Sequence, residues 1–571
     1  MQVRDFVVRF AGEGGQGVVT SAEGLAQTST TAGYHALTFA TFPSQIMGGP
    51  TWTQVRISVE PVLSPGDDVD VLVAFNLEAY DAHRDEVRDG GVIVYNSNEF
   101  QLEAGSRVLG LPIDELARST GNNRAANMVV VGALAYLVNM SKESLELFVE
   151  QRFTRGRSTD EEIIRSNIKA IDLGWEHISQ IGFALGDLAA PQKPEDPQLM
   201  LKGNEAVALG ALAGGLEFYV GYPISPASAI LVYLERNLIG PEKFAFQVSS
   251  EIESITAVLG GGFAGKKSMT ATSGPGISLM SEGLGLAWMA EIPCVVVDVQ
   301  RAGPATGLPT KTEQSDLMAS MYPAHGDVRL PIIAAGTVEE CFSGAVTALN
   351  WAERYQGPVI LLTEMTLAER VQNIPRPDLS KIEVTNRQVY QGANNYHRYA
   401  GHELSPMPIP GNPGAYVANG SEHDDMGDTT HLAERHVQMT ERRFSKLKLL
   451  ETDTYERENP EESIALLPWG GSKGPALEAY HKLKEQGVPI AWYYTMFLNP
   501  LPPRLLEELR QKELVIVPEL NYQGQFASIL RSQGVRAVAI TQYTGLPFRV
   551  RDLVKQISDM ASTPRREMVR A

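Results

Sequence analysis

Cysteine is almost missing from this 571-residue chain: Cys294 and Cys341 are the only two, and neither belongs to a C-x-x-C. The chain therefore cannot supply four thiolates to an iron–sulfur cluster or build a cysteine-rich zinc site. A disulfide framework is excluded as well, and a reducing cytoplasm fits. Both cysteines read as small buried hydrophobes. Long apolar runs are lacking too. The longest, Met128–Met140, is too short to span a bilayer and reads as a core helix. The opening "MQVRDFVVRF" has no basic region followed by an apolar one, so no secretory signal is expected. Positive charge is in deficit: 49 Lys and Arg stand against 68 Asp and Glu, a net charge of −19. That argues against sequence-independent nucleic-acid binding and against docking on an anionic membrane.

What is present is ordinary globular composition spread over more residues than one core holds. Two proline-bearing stretches, Leu188–Met200 and Val371–Lys381, read as linkers that neither helix nor strand continues through. Each of the three resulting segments alternates apolar strand-like runs with helical ones. Examples are "VDVLVAFN", "CVVVDVQ" and "ELVIVPELN". The expected fold class is α/β, with three doubly wound domains whose ligands sit at the carboxyl ends of strands. The expected boundaries are residues 1–190, a linker at 191–199, 200–375, an irregular partner-wrapping region at 376–458, and 459–571.

The first segment opens on a glycine loop. Gly12, Gly14 and Gly17 satisfy G-x-G-x-x-G between a strand and a helix, a form that lets N–H groups approach a phosphate. A nicotinamide dinucleotide site also requires an acid at the end of the next strand. Here that strand ends in Thr41, Phe42 and Pro43, which counts against an NAD-linked dehydrogenase. Another phosphate-bearing ligand, or a tight turn that binds nothing, both stay open.

Three motifs follow in the second segment. "GYPISPAS" (Gly221–Ser228) is a loop stiffened by Pro223 and Pro226. "SSEIESITAVLGGGF" places Glu251 at a helix start, with Ile252, Ile255, Leu259 and Phe263 at roughly helical spacing. Glu251 reads either as a dipole cap or as a buried acid offered to a cofactor, with Glu253 turned to another face. "VQRAGPATGLPTKTEQSDL" is a polar loop after a strand. Its cations Arg301 and Lys311 are either carboxylate partners or solvated charges.

Together, "GYPISP", "SEIES", "TSGPG" and "GPATGLPTKTEQSDL" closely resemble the alpha-subunit pyrimidine domain of 2-oxoacid:ferredoxin oxidoreductases. "GEGGQGVVTSAEGLAQ" and "FPSQIMGGPTWTQVRIS" resemble the gamma domain of the same family, although Met47 stands where members often have arginine. "PELNYQGQFASILR" resembles its transketolase-C-like domain. The chain as a whole looks like the fused gamma–alpha large subunit.

The resemblance implies a thiamine-diphosphate enzyme. Glu251 would hydrogen-bond N1′ of the aminopyrimidine and be catalytic together with Ser225. Tyr222, Pro223, Ile224, Ser273 and Gly274 would line the cofactor. Lys311, Ser225 and Arg301 would bind substrate, and Gly14, Gly15, Gln16 and Gly17 would contact coenzyme A. Neither Asn122–Asn123 nor Asn394–Asn395 follows a GDG, so the diphosphate and magnesium half-site is expected on a separate beta subunit. That subunit would also carry the [4Fe–4S] cluster, in an (alpha–beta)2 assembly that reduces ferredoxin. The implied substrate is 2-oxoglutarate, with pyruvate and branched-chain 2-oxoacids open. A non-catalytic assembly scaffold is the alternative from another class. No metal is expected: Glu422, His423, Asp424, Asp425 and His431 lack the spacing of a ligand set and read as a polar loop.

Overall fold

The computed structural model describes residues 2–43, 48–103, 105–192, 196–393, 395–401 and 404–562. Met47 and Asn394 lie outside them, as do part of the first linker and the last residues of the chain. Two compact units emerge: residues 1–201 with 369–376, and residues 202–368 with 377–571.

The first unit is built on an eight-stranded sheet. Asp5–Glu13, Val69–Ala74, Val87–Asn96 and Val108–Leu111 pair in parallel, as their apolar runs lead one to expect. The other half of this sheet departs from the doubly wound expectation. Pro50–Ser58 runs antiparallel to both Asp5–Glu13 and His35–Thr41, and the chain between it and His35–Thr41 is too short for the crossover that a parallel pair requires. Val371–Pro375, expected to be linker, is a strand antiparallel to His35–Thr41. Its proline is the last residue of the strand, where a missing N–H is tolerated. The apolar run expected to form a core helix does so as Ala126–Leu137, buried along most of its length. It packs closely on the helix Asp160–Ile181. A Cβ on Gly132 would lie 2.1 Å from the Ile171 carbonyl oxygen, and one on Gly174 would lie 1.9 Å from that of Val129.

The second unit contains two sheets. The larger has the order Phe244–Gln247, Phe218–Gly221, Ser268–Thr272, Cys294–Gln300, Pro358–Glu364, Ile332–Ala334 and Phe497–Asn499. All are parallel except the last, which the C-terminal segment contributes antiparallel to Ile332–Ala334. The smaller sheet has Glu456–Glu458 antiparallel at one edge, then Ala491–Tyr494, Ile464–Leu466, Leu514–Glu519 and Ala537–Thr541 in parallel. A single apolar cluster joins Val296 and Ile332 to Ala465, Leu498 and Val515.

The stretch 376–458 is mostly irregular but carries the helix Ala433–Ser445, and its last residues are the edge strand Glu456–Glu458. That segment is anchored by charge. Buried Glu291 receives Arg442 at 2.8 Å and Lys446 at 2.9 Å, with Arg398 at 3.9 Å. Burial opposes ionisation of Glu291, but these cations hold its carboxyl well below the ordinary range. The acidic loop ahead of the helix is similarly engaged. Glu422 binds Arg443 and His436, and Asp425 binds Arg435. No cluster of three or more potential metal ligands occurs among the described residues. None of the described helices is long and apolar enough to cross a membrane.

Candidate functional site

The carboxyl ends of neighbouring strands in the larger sheet carry the three motifs. The Glu251 helix, Glu251–Phe263, starts where it does because Ser250 is extended and its side chain accepts the Glu253 N–H. Glu253 reaches back to the Ser249 N–H and hydroxyl at 2.9 and 2.7 Å. The reciprocal cap fixes Glu251 as the first helical residue. Glu253 is exposed and occupied by the cap, whereas Glu251 is only 7% exposed. No donor among the described residues bonds the Glu251 carboxylate. Ile252, expected on the apolar face, is 56% exposed, since its position next to Glu251 turns it off the buried stripe.

The turn "TSGPG" closes over that carboxylate. Ser273 stands extended just ahead of the helix Gly274–Met289, and its side chain makes no capping bond. A Cβ on Gly276 would sit 1.9 Å from Thr272 Oγ1 and 2.9 Å from Glu251 Cγ, so only glycine lets the acid lie there. A Cβ on Gly274 would sit 2.9 Å from Asp316 Oδ2. The turn thus stands between two carboxylates, one on each side.

Ser225 lies on an exposed loop together with Tyr222 and Pro223, with Ile224 half-buried. The loop is held from below. Asn204 Nδ2 donates to the Pro226 carbonyl at 2.9 Å, and Arg301 Nη1 donates to the Ser225 carbonyl at 2.7 Å. Arg301 is buried. Its first task is therefore to fix the loop that presents Ser225, a role its place on a polar loop did not reveal.

Lys311 stands at the neck of the loop that follows. Its carbonyl accepts the Ala302 N–H at 3.0 Å, and its own N–H donates to Leu308. The side chain is half-buried, and its ammonium has no partner among the described residues. Burial pushes its pKa down. Beyond Lys311 the chain is clasped by the C-terminal segment. Gln314 exchanges bonds with Leu520 and donates to the Trp469 carbonyl at 2.7 Å. Met318 and Ser315 bond the Gln525 side chain. Gly545 packs on the stem of Lys311.

Two acids absent from the sequence expectations complete the site. Asp316 is anchored by its N–H on Gln300. Burial and the charge of Glu313 raise its pKa to about 6, against the pull of Arg301. Asp298, fully buried, is raised well above the carboxylate range by burial and by Asp316. The motif "EQSDL" contained Asp316, but nothing in the sequence marked it as facing the turn. Around this ring, buried polar atoms remain without protein partners: the hydroxyls of Thr270, Thr272 and Ser273, Asp298 Oδ1, Asp316 Oδ2 and Arg301 Nε. Buried polar groups are normally satisfied, so the concentration marks a place where a polar ligand or water completes the bonding.

The glycine loop of the first unit is arranged differently. Gly15 (φ 102°) and Gly17 (φ 85°) adopt the left-handed conformation that favours glycine. Gln16 Oε1 accepts the Glu13 N–H at 2.8 Å and Asn76 Nδ2 at 3.0 Å. The Gly14 N–H donates to the Gly49 carbonyl at 3.3 Å, and the Gln16 N–H to that of Glu13 at 3.1 Å. Part of the expected phosphate cradle is thus bonded internally. The N–H groups of Gly15, Gly17 and Val18 stay unbonded among the described residues.

Comparison with known proteins agrees with this layout. Residues 209–442 match the family described as pyruvate flavodoxin/ferredoxin oxidoreductase, thiamine diphosphate-binding, and residues 7–177 match pyruvate ferredoxin/flavodoxin oxidoreductase. The chain is 31% identical over 600 residues to the 2-oxoglutarate oxidoreductase subunit KorA of Mycobacterium tuberculosis, covering 96% of this chain and 90% of the relative. It is 31% identical over 602 residues to subunit alpha of 2-oxoacid:ferredoxin oxidoreductase 2 of Aeropyrum pernix, covering 92% and 93%. A solved 2-oxoglutarate:ferredoxin oxidoreductase from Magnetococcus marinus, with 2-oxoglutarate, coenzyme A and succinyl-CoA bound, superimposes with a TM-score of 0.91 at 37% identity. That match covers 98% of this chain and 100% of the other. The motifs, the α/β architecture and these relatives converge: the chain belongs to the 2-oxoacid:ferredoxin oxidoreductases, as their large alpha subunit.

Proposed function

We propose that this subunit holds the aminopyrimidine of thiamine diphosphate against Glu251 and binds the 2-oxoacid carboxylate at Lys311. The reaction is CoA-dependent oxidative decarboxylation, or its reverse, with ferredoxin as electron carrier. The observation that carries the reading is Glu251: a buried carboxylate with no protein donor, beside a ring of unbonded hydroxyls. Such an acid can hold a proton at a ring nitrogen. When bound, thiamine diphosphate supplies the electron sink that lets carbon dioxide leave.

The chain's own residues do the rest. Glu251 orients the pyrimidine and holds a proton at N1′. Tyr222, Pro223, Ile224, Ser273 and Gly274 shape the space around it. Arg301 fixes the loop so that the Ser225 hydroxyl faces the reacting end of the substrate. The unpaired, half-buried ammonium of Lys311 takes the carboxylate. The substrate we favour is 2-oxoglutarate, giving succinyl-CoA. The relative from Mycobacterium tuberculosis and the structure from Magnetococcus marinus both carry 2-oxoglutarate in their names.

Diphosphate, magnesium and the [4Fe–4S] cluster belong to a beta subunit in an (alpha–beta)2 assembly. Two cysteines in the whole sequence are too few to hold a cluster. Ferredoxin docks mainly on that beta subunit, because this chain carries net charge −19 and repels an acidic partner at long range. The complex works in the cytoplasm.

The test is anaerobic viologen reduction by the chain co-expressed with its beta subunit. Coenzyme A, thiamine diphosphate and magnesium are supplied, with 2-oxoglutarate, pyruvate or 2-oxoisovalerate as substrate. CoA-dependent reduction with 2-oxoglutarate, falling about a hundredfold or more in Glu251→Ala, is expected. A folded complex with an intact cluster that reduces viologen with none of the three acids would sink the reading and favour a scaffold.

A further inference from the structure

A line of carboxyls leads away from Glu251 and is not used in the reaction proposed above. Its first link is at Gly276. A Cβ there would meet Thr272 Oγ1 at 1.9 Å and Glu251 Cγ at 2.9 Å, so the Thr272 hydroxyl and the Glu251 side chain converge on one point. Thr272 is the register partner of Asp298 on the neighbouring parallel strand, which turns both side chains to the same face of the sheet. Ser320 joins Asp298 to Asp316. Its hydroxyl donates to Asp298 Oδ2 at 3.3 Å, and its N–H donates to the Asp316 carbonyl at 2.8 Å. Glu313 stands earlier on the loop that carries Asp316. Burial falls along the line: Asp298 is fully buried, Asp316 keeps Oδ2 away from solvent, and Glu313 is half-buried.

These acids hold protons more tightly than ordinary carboxyls. Burial and the charge of Asp316 raise Asp298 well above the carboxylate range. Burial and the charge of Glu313 raise Asp316 to about 6, against the pull of Arg301. Burial raises Glu313, against its bonds to Ser315 and to the Gly303 backbone. Arg301 cannot neutralise the group by itself, because its Nη1 is engaged by the Ser225 carbonyl. Beside the acids, the buried hydroxyls of Thr270, Thr272 and Ser273, with Asp298 Oδ1 and Asp316 Oδ2, are bonded by none of the described residues. A hydroxyl both donates and accepts, so it can pass a proton between neighbours. Carboxyls that titrate near neutral pH can take a proton up and release it during turnover.

The proposed reaction has a proton to dispose of. A 2-oxoacid and the coenzyme A thiol give an acyl thioester, carbon dioxide, two electrons and one proton. The bond to the carboxylate and the S–H bond break, the C–S bond forms, and ferredoxin takes the electrons. Glu251, which holds a proton at N1′ in that reading, is the protein's own point of contact with this traffic. We infer that Asp298, Asp316 and Glu313 form a relay that moves protons between Glu251 and the outside, with the Thr272 hydroxyl as its first link. The three acids act through Glu251 and not on the substrate. The inference rests on the role given to Glu251 above.

The experiment has two arms, both on the complex with the beta subunit. The first omits cofactor and substrate. Infrared difference spectra follow protonated carboxyl bands, identified by their shift in D2O, as the pH is varied through about 6. A band that titrates there is expected to vanish in Asp316→Asn, to be displaced in Asp298→Asn, and to persist in the exposed control Glu485→Gln. The second arm is anaerobic viologen reduction with 2-oxoacid and coenzyme A. Asp298→Asn, Asp316→Asn and Glu313→Gln should each lower kcat about tenfold or more. The KM for the 2-oxoacid should stay unchanged, the solvent isotope effect should rise, and formate or imidazole should restore part of the rate. Glu313→Gln, at the less buried end, serves where a buried asparagine disturbs the fold.

Absence of a carboxyl band titrating in the first arm overturns the relay. So does turnover with kcat and isotope effect unchanged in all three variants, which leaves the reaction standing. A fall in kcat accompanied by a higher KM and no rescue makes the acids structural supports and also overturns it. An unsubstituted complex that turns over no 2-oxoacid sinks the reaction itself, and the relay with it.

Discussion

The two glycine-rich turns of this molecule look alike in sequence and differ in what they leave open. "GEGGQG" uses its own Gln16 to bond Glu13 and Asn76, and hands the Gly14 N–H to Gly49. "TSGPG" leaves Ser273 and the flanking threonine hydroxyls unbonded and uses its glycines to admit carboxylates on both sides. The first turn bonds part of itself and leaves backbone N–H groups of Gly15, Gly17 and Val18 open, whereas the second leaves buried hydroxyls and a buried carboxylate oxygen open. A glycine motif alone does not distinguish these cases. The fate of each polar atom does, because a buried group left unbonded costs about 1–3 kcal/mol unless something else bonds it.

The largest expected effect comes from filling the open turn. Gly276→Ala would press a methyl group on Thr272 and Glu251. Turnover should fall about tenfold or more, with about 1–3 kcal/mol of stability lost on urea denaturation. Undiminished turnover would show that the position of Glu251 is not critical.

Next is Lys311→Met, which should raise the KM for the 2-oxoacid about tenfold, since a hydrogen bond to a charged group contributes about 1.5–3 kcal/mol. Burial lowers the Lys311 pKa. The charged form that binds carboxylate is therefore lost at lower pH than for an ordinary lysine. KM in the unsubstituted enzyme should begin to climb on the alkaline side earlier than a free lysine would dictate, and the Met variant should lack that limb.

Asp316→Asn probes the other carboxylate beside the turn. With its pKa raised to about 6, Asp316 binds its proton more tightly in the folded chain than in the unfolded one. Stability is then lost as pH climbs from the unfolded value through about 6, and the full cost applies above that. The asparagine variant should be more stable than the parent at pH 8 by on the order of 1–3 kcal/mol, with the gain shrinking toward pH 5. An equal difference at both values would refute the assignment.

The smallest effect belongs to the closed turn. Gln16→Ala frees the Glu13 N–H and should cost about 1 kcal/mol on denaturation, with turnover changed less than in Gly276→Ala. A larger loss of turnover from Gln16→Ala than from Gly276→Ala would reverse the comparison.

Much of this was legible in the sequence. Parallel strands such as Val69–Ala74 and Cys294–Gln300 announce themselves as unbroken apolar runs. Glu251 at a helix start was legible from the spacing of Ile255, Leu259 and Phe263, whereas the Ser250–Glu253 cap that fixes it there emerged only in the fold. What escaped depends on contacts distant along the chain. Nothing near Val371 says that it will pair with the His35–Thr41 strand. Nothing near Arg301 says that its guanidinium will bond the Ser225 carbonyl. Asp316 sat inside a quoted motif, but its importance comes from Gly274 and Asp298, which only the fold brings to it.

The strand Phe497–Asn499 carries a consequence for how the protein is made. It closes the edge of the sheet that bears Glu251, and Gln314 is clasped by Leu520 and Trp469. During synthesis the motif-bearing segment leaves the ribosome long before these partners exist. Until residue 520 emerges, the Ile332–Ala334 strand has an open edge and the Lys311 loop has no clasp. The site is thus assembled late, by the last fifth of the chain folding back on the middle, and translation that stops short of it yields a polypeptide with the Ser225, Glu251 and Lys311 motifs and no completed site.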